Sequence, residues 1–209
     1  MASIEVSSER EPEIADAHRL IAACFDALAD VPALLGAEPG MLTARTLRGE
    51  TALHWLVVER QLEAVRVLAA CGAELNTVSG GAISPLGEAA ERGDETMVAW
   101  LLAHGARPDL PGECGPTLLW AVDGGKPAIV SMMLVAGAVI DGANRHGQTA
   151  LHAAAKSDDS IQILRLLLDA GATGPGLYRG TQSPLDVARA NGAIAAVALL
   201  EAPARARRT

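Results

Sequence analysis

Apolar residues along this chain fall into short runs that recur at a nearly constant distance. A small or hydroxylated residue followed closely by leucine opens such a run five times, and the leucines that mark the runs are Leu53, Leu86, Leu118, Leu151 and Leu185. They lie 33, 32, 33 and 34 residues apart. A fixed period of this length is typical of repeat proteins.

A Gly-Ala dipeptide provides a second, independent mark with the same period. Its glycines are Gly72, Gly105, Gly137 and Gly171, at intervals of 33, 32 and 34 residues. Because two unrelated marks keep one spacing, the sequence indicates a unit of about 33 residues repeated along the chain.

Within a unit, the pattern predicts two short helices followed by a loop. In the second unit the helices are expected at about Pro85–Arg92 and Glu95–His104, with a turn between them. A Ser or Thr hydroxyl can accept from the free N–H groups of the first helical turn, and Gly after the second helix fits the left-handed residue that ends it. The residues that follow are rich in Gly, Asn, Asp and Pro, which is typical of a hairpin-like loop.

The fourth unit carries the clearest motif. Residues 147–155 read Gly-Gln-Thr-Ala-Leu-His-Ala-Ala-Ala, residues 163–168 read Ile-Leu-Arg-Leu-Leu-Leu, and a Gly-Ala pair follows at 171–172. These features resemble the ankyrin-repeat family. The resemblance implies an all-α ankyrin-repeat solenoid with hairpin-like loops between repeats. It places about five repeats within residues 45–202, at approximately 48–77, 81–110, 113–142, 146–176 and 180–202.

The same resemblance extends towards the N-terminus, where residues 12–44 are expected to form a degenerate capping repeat of two helices. Residues 1–11 are polar and acidic, and residues 203–209 are short, basic and contain proline. Both end segments are therefore expected to be disordered.

One position departs from the repeat pattern in a way that predicts strain. The turn between the two helices holds Gly93, Gly125 and Gly192 in three units, but Arg60 in the first. If this position is left-handed, a side chain there costs on the order of 1 kcal/mol.

Composition and charge narrow the classes of function. Apolar residues make up 50% of the chain but aromatic residues only 2%, so the core must be built from small side chains on closely packed helices. The net charge of −8 argues against a nucleic-acid binder, which needs a cationic face. No apolar stretch approaches the length of a membrane span, and no signal peptide is recognisable. A cytoplasmic location is expected, with secretion as an effector left open.

Few residues suggest catalysis, a metal or a cofactor. The three cysteines lie far apart without a CxxC motif, so neither a disulfide framework nor a metal site is indicated. The resemblance implies that His54 and His152 belong to the hydrogen-bonding network between repeats, and they are three repeats apart. Cys114 has no His, Asp or Asn at a defensible spacing. We expect no enzyme activity and no cofactor, with a Cys/His hydrolase as a remote alternative.

Three residues share one phase in successive units and are candidates for partner binding. Trp55 and Trp120 occupy this position two repeats apart, and Glu88 occupies it between them. The resemblance implies that the position lies on the inner helix near a concave surface, where Trp is a favoured interface anchor. The alternative is that both indoles pack between neighbouring helices. Trp100, on an outer helix, is expected in the core.

The remaining candidates lie where members of the family vary most. On the inner helices these are Glu59, Glu91, Arg92 and Asp123, and at the loop tips they are Arg145, His146, Tyr178 and Arg179. Together they give a surface of mixed sign with an acidic N-terminal half, which would steer a basic patch on a partner. The alternative is a merely solvated face.

These observations predict a non-enzymatic module that binds a folded protein through its concave face and loop tips, as a monomer. Arg greatly outnumbers Lys in an Ala-rich chain, which is associated with a GC-rich, bacterial gene. In that setting the resemblance suggests an inhibitor or immunity protein. A host-directed effector and a scaffold are the alternatives.

Overall fold

The computed structural model describes residues 11–110, 115–174, 178, 180 and 182–202, and this part of the chain is mostly helical. It contains twelve α-helices and three short 3-10 helices at Leu28–Asp30, Pro39–Leu42 and Asp158–Ser160. The α-helices are α1 Glu11–Asp26, α2 Val31–Ala37, α3 Ala52–Val58, α4 Leu62–Ala70, α5 Pro85–Glu91, α6 Glu95–Ala103, α7 Thr117–Asp123, α8 Pro127–Val135, α9 Ala150–Ala154, α10 Ile161–Asp169, α11 Pro184–Asn191 and α12 Ile194–Glu201.

The helices form two stacked rows. The first helix of each repeat, here called the inner helix, packs against the next inner helix in the order α3, α5, α7, α9, α11. The second, or outer, helices α6, α8, α10 and α12 pack in the same order, while α1 contacts α3 and α2 contacts α4. The predicted all-α solenoid is confirmed.

The core between the rows is built from the repeated leucines and from small residues. Leu53, Leu86, Leu118 and Leu151 are all at most 2% exposed, and Leu185 in the last repeat is half-buried. Gly124 allows adjacent inner helices to approach closely, because a Cβ there would stand 2.2 Å from the carbonyl oxygen of Ala90. Small side chains thus replace aromatic bulk, as the composition indicates.

A hydroxylated N-cap residue directly precedes four of the five inner helices. The Ser84 hydroxyl accepts a hydrogen bond from the N–H of Gly87 at 3.1 Å, and the Ser183 hydroxyl accepts from the N–H of Asp186 at 3.2 Å. Before α3 and α9 the capping residues are Thr51 and Thr149. These bonds satisfy N–H groups that the helix itself leaves free.

A ladder of Asn and Asp side chains joins three of the loops to the repeat that follows. Asn76 accepts from the N–H of Arg107 at 2.8 Å, and Asp109 accepts from the N–H of Val139 at 2.8 Å. One repeat further, Asp141 accepts from the N–H of Thr173 at 3.0 Å. Each bond reaches the residue that directly follows a Gly-Ala mark, so the joint between repeats recurs with the period of the sequence.

The turn between the paired helices has the predicted left-handed residue. Arg60 has a φ of 57°, close to the 65°, 69° and 70° of Gly93, Gly125 and Gly192. The Nη2 of Arg60 also donates a 2.6 Å hydrogen bond to the carbonyl oxygen of Arg92 in the next repeat. A second left-handed residue, Ala82 with a φ of 56°, was not predicted.

Several expectations fall on residues that the structure does not describe. These are the expected disorder of residues 1–10 and 203–209 and the roles considered for Cys114 and Arg179. Glu11 is the exception in the N-terminal segment, because it is the first residue of α1 and not part of a disordered tail.

Candidate functional site

The position shared by Trp55, Glu88 and Trp120 lies on three successive inner helices, α3, α5 and α7. Trp55 is 37% exposed, which is a large accessible fraction for an indole. Glu88 and Trp120 are half-buried. The three side chains are therefore not equivalent, and Trp55 offers the most apolar surface to solvent.

Trp120 packs against the neighbouring repeat. Its Cδ1 lies 3.5 Å from the point that a Cβ on Gly87 would occupy, so the indole rests on the bare backbone of α5. Its Nε1 is buried without a hydrogen-bond acceptor. Packing between helices, the alternative that the sequence left open, thus describes Trp120 better than it describes Trp55.

Glu88 and Arg92 form an ion pair on α5. Their Oε2 and Nε atoms are 3.8 Å apart, one helical turn along the chain. Burial raises the pKa of the Glu88 carboxyl, and the positive charge of Arg92 partly opposes this rise. The inner-helix surface therefore holds a shielded carboxylate whose charge is only partly compensated.

Exposed acidic residues mark the ends of three inner helices. Glu91 and Asp123 are the last residues of α5 and α7, and Glu59 directly follows α3. All three are exposed. Neighbouring atoms still shield the Asp123 carboxyl enough to raise its pKa, while Lys156 in the next repeat lowers it. At the ends of the inner helices the first three repeats thus carry an exposed carboxylate, and the exposed Lys156 stands at the corresponding place in the fourth.

The loop tips supply a different set of groups. Arg145 and His146 are both exposed, and Nε of Arg145 lies 3.2 Å from Nε2 of His146. Tyr178 is half-buried, and its ring lies 6.1 Å from that of His152. These tips lie beside the later repeats, at the opposite end of the stack from Trp55 and Glu59.

The histidines of the motif are structural. The N–H of Thr149 donates to Nδ1 of His152 at 3.3 Å, so the proton resides on Nε2, which donates to the carbonyl of Gln182 in the next repeat at 3.1 Å. His54 makes the same bond to the N–H of Thr51. Burial, together with the charge of Arg45, lowers the pKa of His54 to about 4.

Trp100 packs against the core but is not enclosed by it, so the sequence-based expectation is met only in part. It is half-buried and stacks on the ring of His104 with 4.0 Å between the ring centroids. Together with Arg66 and Asn76 the two rings line a groove on the outer-helix side. The exposed His104 directly follows α6, and its ring is the stacking partner of the Trp100 indole.

The described residues offer little for chemistry. Within them no three His, Cys, Asp or Glu side chains come together as a possible metal site. Burial raises the pKa of the Cys24 thiol to about 11, which leaves little thiolate to act as a nucleophile. Among the helices of this part of the chain, none combines the length and the apolar character needed to cross a bilayer.

Comparison with known proteins agrees with this architecture. Ankyrin repeats, matched as sets of three copies, cover residues 20–111, 86–176 and 118–206. The chain is also 30% identical over 159 residues to the nuclear factor NF-kappa-B p105 subunit of Gallus gallus. This alignment includes 73% of the chain but spans only 16% of the length of that relative. The repeat motifs, the stacked helix pairs and these matches together show that the chain belongs to the ankyrin-repeat family.

Proposed function

We propose that this protein is a non-enzymatic binding module that holds a folded protein partner on its inner-helix face and loop tips. Ankyrin repeats are generally protein–protein interaction modules. The observation that carries the proposal for this chain is the exposed row of Glu59, Glu91 and Asp123 beside the accessible indole of Trp55. Trp is enriched among the residues that contribute most to binding energy, and a polar, solvent-accessible rim surrounds the centre of a typical interface.

The charge of this row indicates what the partner presents. Acidic residues dominate the first three repeats, whereas Arg145 and Lys156 are basic and exposed in the fourth. A partner with a basic patch over the first repeats and an acidic rim over the fourth would match both signs. Matching potentials speed the encounter and select against wrong partners.

The biological role that we favour is that of an inhibitor or immunity protein which neutralises its partner. A compact set of repeats that covers a partner as a rigid body can block an active site without any chemistry of its own. A host-directed effector and a scaffold use the same surface, so the identity of the captured protein distinguishes these roles.

The experiment is affinity capture from the cells that make the protein, followed by mass spectrometry. The double variant Glu91→Arg with Asp123→Arg should lose the captured partner while keeping the wild-type melting temperature. Capture by the wild type should also weaken as salt is raised, because exposed charges are screened.

A matched control reverses the same number of charges elsewhere. Asp26 and Asp169 are also exposed acidic residues at the last position of their helices, α1 and α10. Asp26→Arg with Asp169→Arg should capture the partner as the wild type does. If the inner-face variant captures equally well, or if both double variants fail equally, the interface is not where we place it.

A further inference from the structure

The carboxylate of Glu88 is withdrawn from water but receives no hydrogen bond. The Glu88 side chain is only 13% exposed, and none of the residues that the structure describes donates to its oxygens. The Nε of Arg92 stands 3.8 Å away on a side chain that is 42% exposed, so this ion pair is loose. A shielded carboxylate without a donor is unfavourable for the protein alone. A donor supplied by another molecule would therefore be gained at little expense.

Two further carboxylates lie close enough to act on Glu88 through their charge. Glu91 follows it on α5, and Glu50 lies in the loop just before α3, in the preceding repeat. The charges of both groups raise the pKa of the Glu88 carboxyl, and Arg92 opposes them. Three carboxylates thus face one guanidinium, which leaves an excess of negative charge at this place on the inner-helix face.

An accessible indole lies beside these carboxylates. Trp55 has the position on α3 that Glu88 has on α5, and the two helices pack against each other. Packed helices are about 8–10 Å apart, a distance that the side chains of Trp and Glu bridge from either side. The effect of Glu50 on Glu88 places the Glu88 carboxyl towards the repeat of Trp55. We call this group the Trp55–Glu88 site: Glu50, Trp55, Glu88 and Glu91.

We propose that the Trp55–Glu88 site binds an arginine side chain of the protein partner, a proposal that rests on the binding function inferred above. A guanidinium is planar, so it can stack on an indole while its edge donates two hydrogen bonds to a carboxylate. Trp55, which is 37% exposed, supplies the ring, and Glu88 supplies the acceptor. Glu50 and Glu91 add the negative charge that attracts a cation.

Other side chains of a partner match the site less well. An anion is repelled by the three carboxylates. An apolar side chain would cover Trp55 but would shield the Glu88 carboxylate further without giving it a donor. A lysine ammonium has the required charge, but it has neither a flat surface to stack on the indole nor a fork of donors that matches a carboxylate.

Arg92 is the internal competitor of the incoming arginine. Its guanidinium neutralises part of the charge of Glu88 without making a hydrogen bond to it. A partner's arginine has to share Glu88 with Arg92 or displace it towards solvent. Removing the charge of Arg92 should therefore strengthen the binding of arginine.

Titration of the full chain with Nα-acetyl-arginine amide, followed by NMR of the indole N–H groups, tests the proposal. The chain has three tryptophans, so the signal of Trp55 reports on the site and that of Trp100, on the outer-helix side, is an internal control. For a ligand of this size we expect a dissociation constant on the order of millimolar. The Trp55 signal should shift to saturation while the Trp100 signal stays in place.

Two related ligands test the chemistry of recognition. Nα-acetyl-lysine amide carries the same charge and should bind at least ~3-fold more weakly, because it cannot stack and donate at once. Nα-acetyl-citrulline amide has nearly the shape of the arginine derivative but no charge, and it should leave the Trp55 signal unchanged. Equal affinity for the arginine and lysine derivatives, or no shift of Trp55 at concentrations well above the expected dissociation constant, would overturn the proposal.

Three variants locate the bound guanidinium. Glu88→Gln keeps the shape of the side chain and should weaken arginine binding at least ~10-fold, since it removes the charged acceptor. Arg92→Gln should tighten binding about 2-fold or more, because the competing cation is gone. The matched control is Glu95→Gln, which neutralises an exposed carboxylate in the first turn of the outer helix α6 and should bind as the wild type does. Binding that Glu88→Gln leaves unchanged would overturn the proposal.

The capture experiment described above separates this proposal from the binding function on which it rests. If the partner is lost from the Glu91→Arg, Asp123→Arg variant but the arginine derivative does not bind, the inner-helix face is the interface and the arginine anchor is wrong. If the arginine derivative binds as described but that variant still captures the partner, the site takes arginine and the partner interface has been misplaced.

Discussion

Arg60 occupies a backbone conformation that glycine holds in the equivalent turns of other repeats. Its φ of 57° is unfavourable for a residue with a Cβ, and Arg is not one of the residue types that adopt this conformation more readily. The structure adds a partial offset, the bond from its guanidinium to the carbonyl of Arg92. Because Arg60 is exposed, we expect this bond to stabilise the folded state by less than the left-handed conformation destabilises it.

Arg60→Gly should raise the free energy of unfolding by roughly 0.5–1 kcal/mol, since relief of left-handed strain exceeds the lost bond and the added freedom of the unfolded chain. For a chain of this size that corresponds to a melting temperature about 1–4 °C higher. Thermal unfolding followed by circular dichroism measures it. Arg92→Gly is the control: its φ is −78°, so the same substitution should lower the melting temperature. A lower value for Arg60→Gly would mean that the bond to Arg92 outweighs the strain.

Individual residues also mark where the sequence is informative and where it is silent. The left-handed Arg60 could be predicted because glycine stands at the same place in other units. The left-handed Ala82 follows the same rule, since glycine stands at the equivalent position of other units, with a φ of 72° at Gly49 and 76° at Gly147. Alignment of the loops, and not only of the helices, would have indicated it.

Helices of only five to nine residues are too short to be stable alone, so each depends on its neighbours. The two sequence marks predict where these helices begin and end because capping and termination are local. The surroundings of an individual side chain depend, in contrast, on residues that are distant in the sequence. The indole of Trp120, a residue of α7, packs against α5 because Gly87 leaves the backbone of α5 uncovered there. The phase of Trp120 within its own helix carries no information about that glycine.

The uncharged outer face of α8 can be read in its sequence, which has no charge in nine residues. The marks that recur in every unit carry no information about this face, because they are capping and core positions and not outward-facing ones. Those positions become comparable only when each outer helix is placed in register with the others, as the structure does.

Leu151→Ala should lower the free energy of unfolding by ~2–5 kcal/mol, because Leu151 is buried in α9 between two repeats. Leu185→Ala, at the equivalent position in the last repeat, should cost less since that leucine is half-buried. Urea unfolding of both variants measures the difference. Equal costs, or a Leu151 variant as stable as the wild type, would contradict the packing register described above.

Over the whole molecule, two buried neutral histidines connect stability to pH. His54 is 1% exposed and His152 is fully buried, and burial lowers the pKa of both. In the unfolded chain each would titrate near its ordinary value of about 6.5. The unfolded state therefore binds protons more readily than the folded state, and stability falls as the pH drops below about 6.5.

Lowering the pH from 7 to 5 should reduce the free energy of unfolding, with about 2 kcal/mol from His54 alone, given a folded pKa of about 4. Denaturant unfolding at both pH values tests this. The loss should shrink in His54→Asn, which cannot take up the proton. His146→Asn, at an exposed loop tip, should behave like the wild type. A pH dependence unaltered by His54→Asn would assign it to other groups.

The ladder from Asn76, Asp109 and Asp141 to the backbone of each following unit has a consequence for evolution. Each of these three bonds joins a side-chain oxygen of Asn or Asp to a backbone N–H one unit further on. After duplication or deletion of a complete unit, each of these side-chain oxygens would therefore still meet a backbone N–H of the next unit. The length of the repeat stack can therefore change in steps of one helix layer, about 10 Å, while the same type of bond still joins every pair of neighbouring repeats.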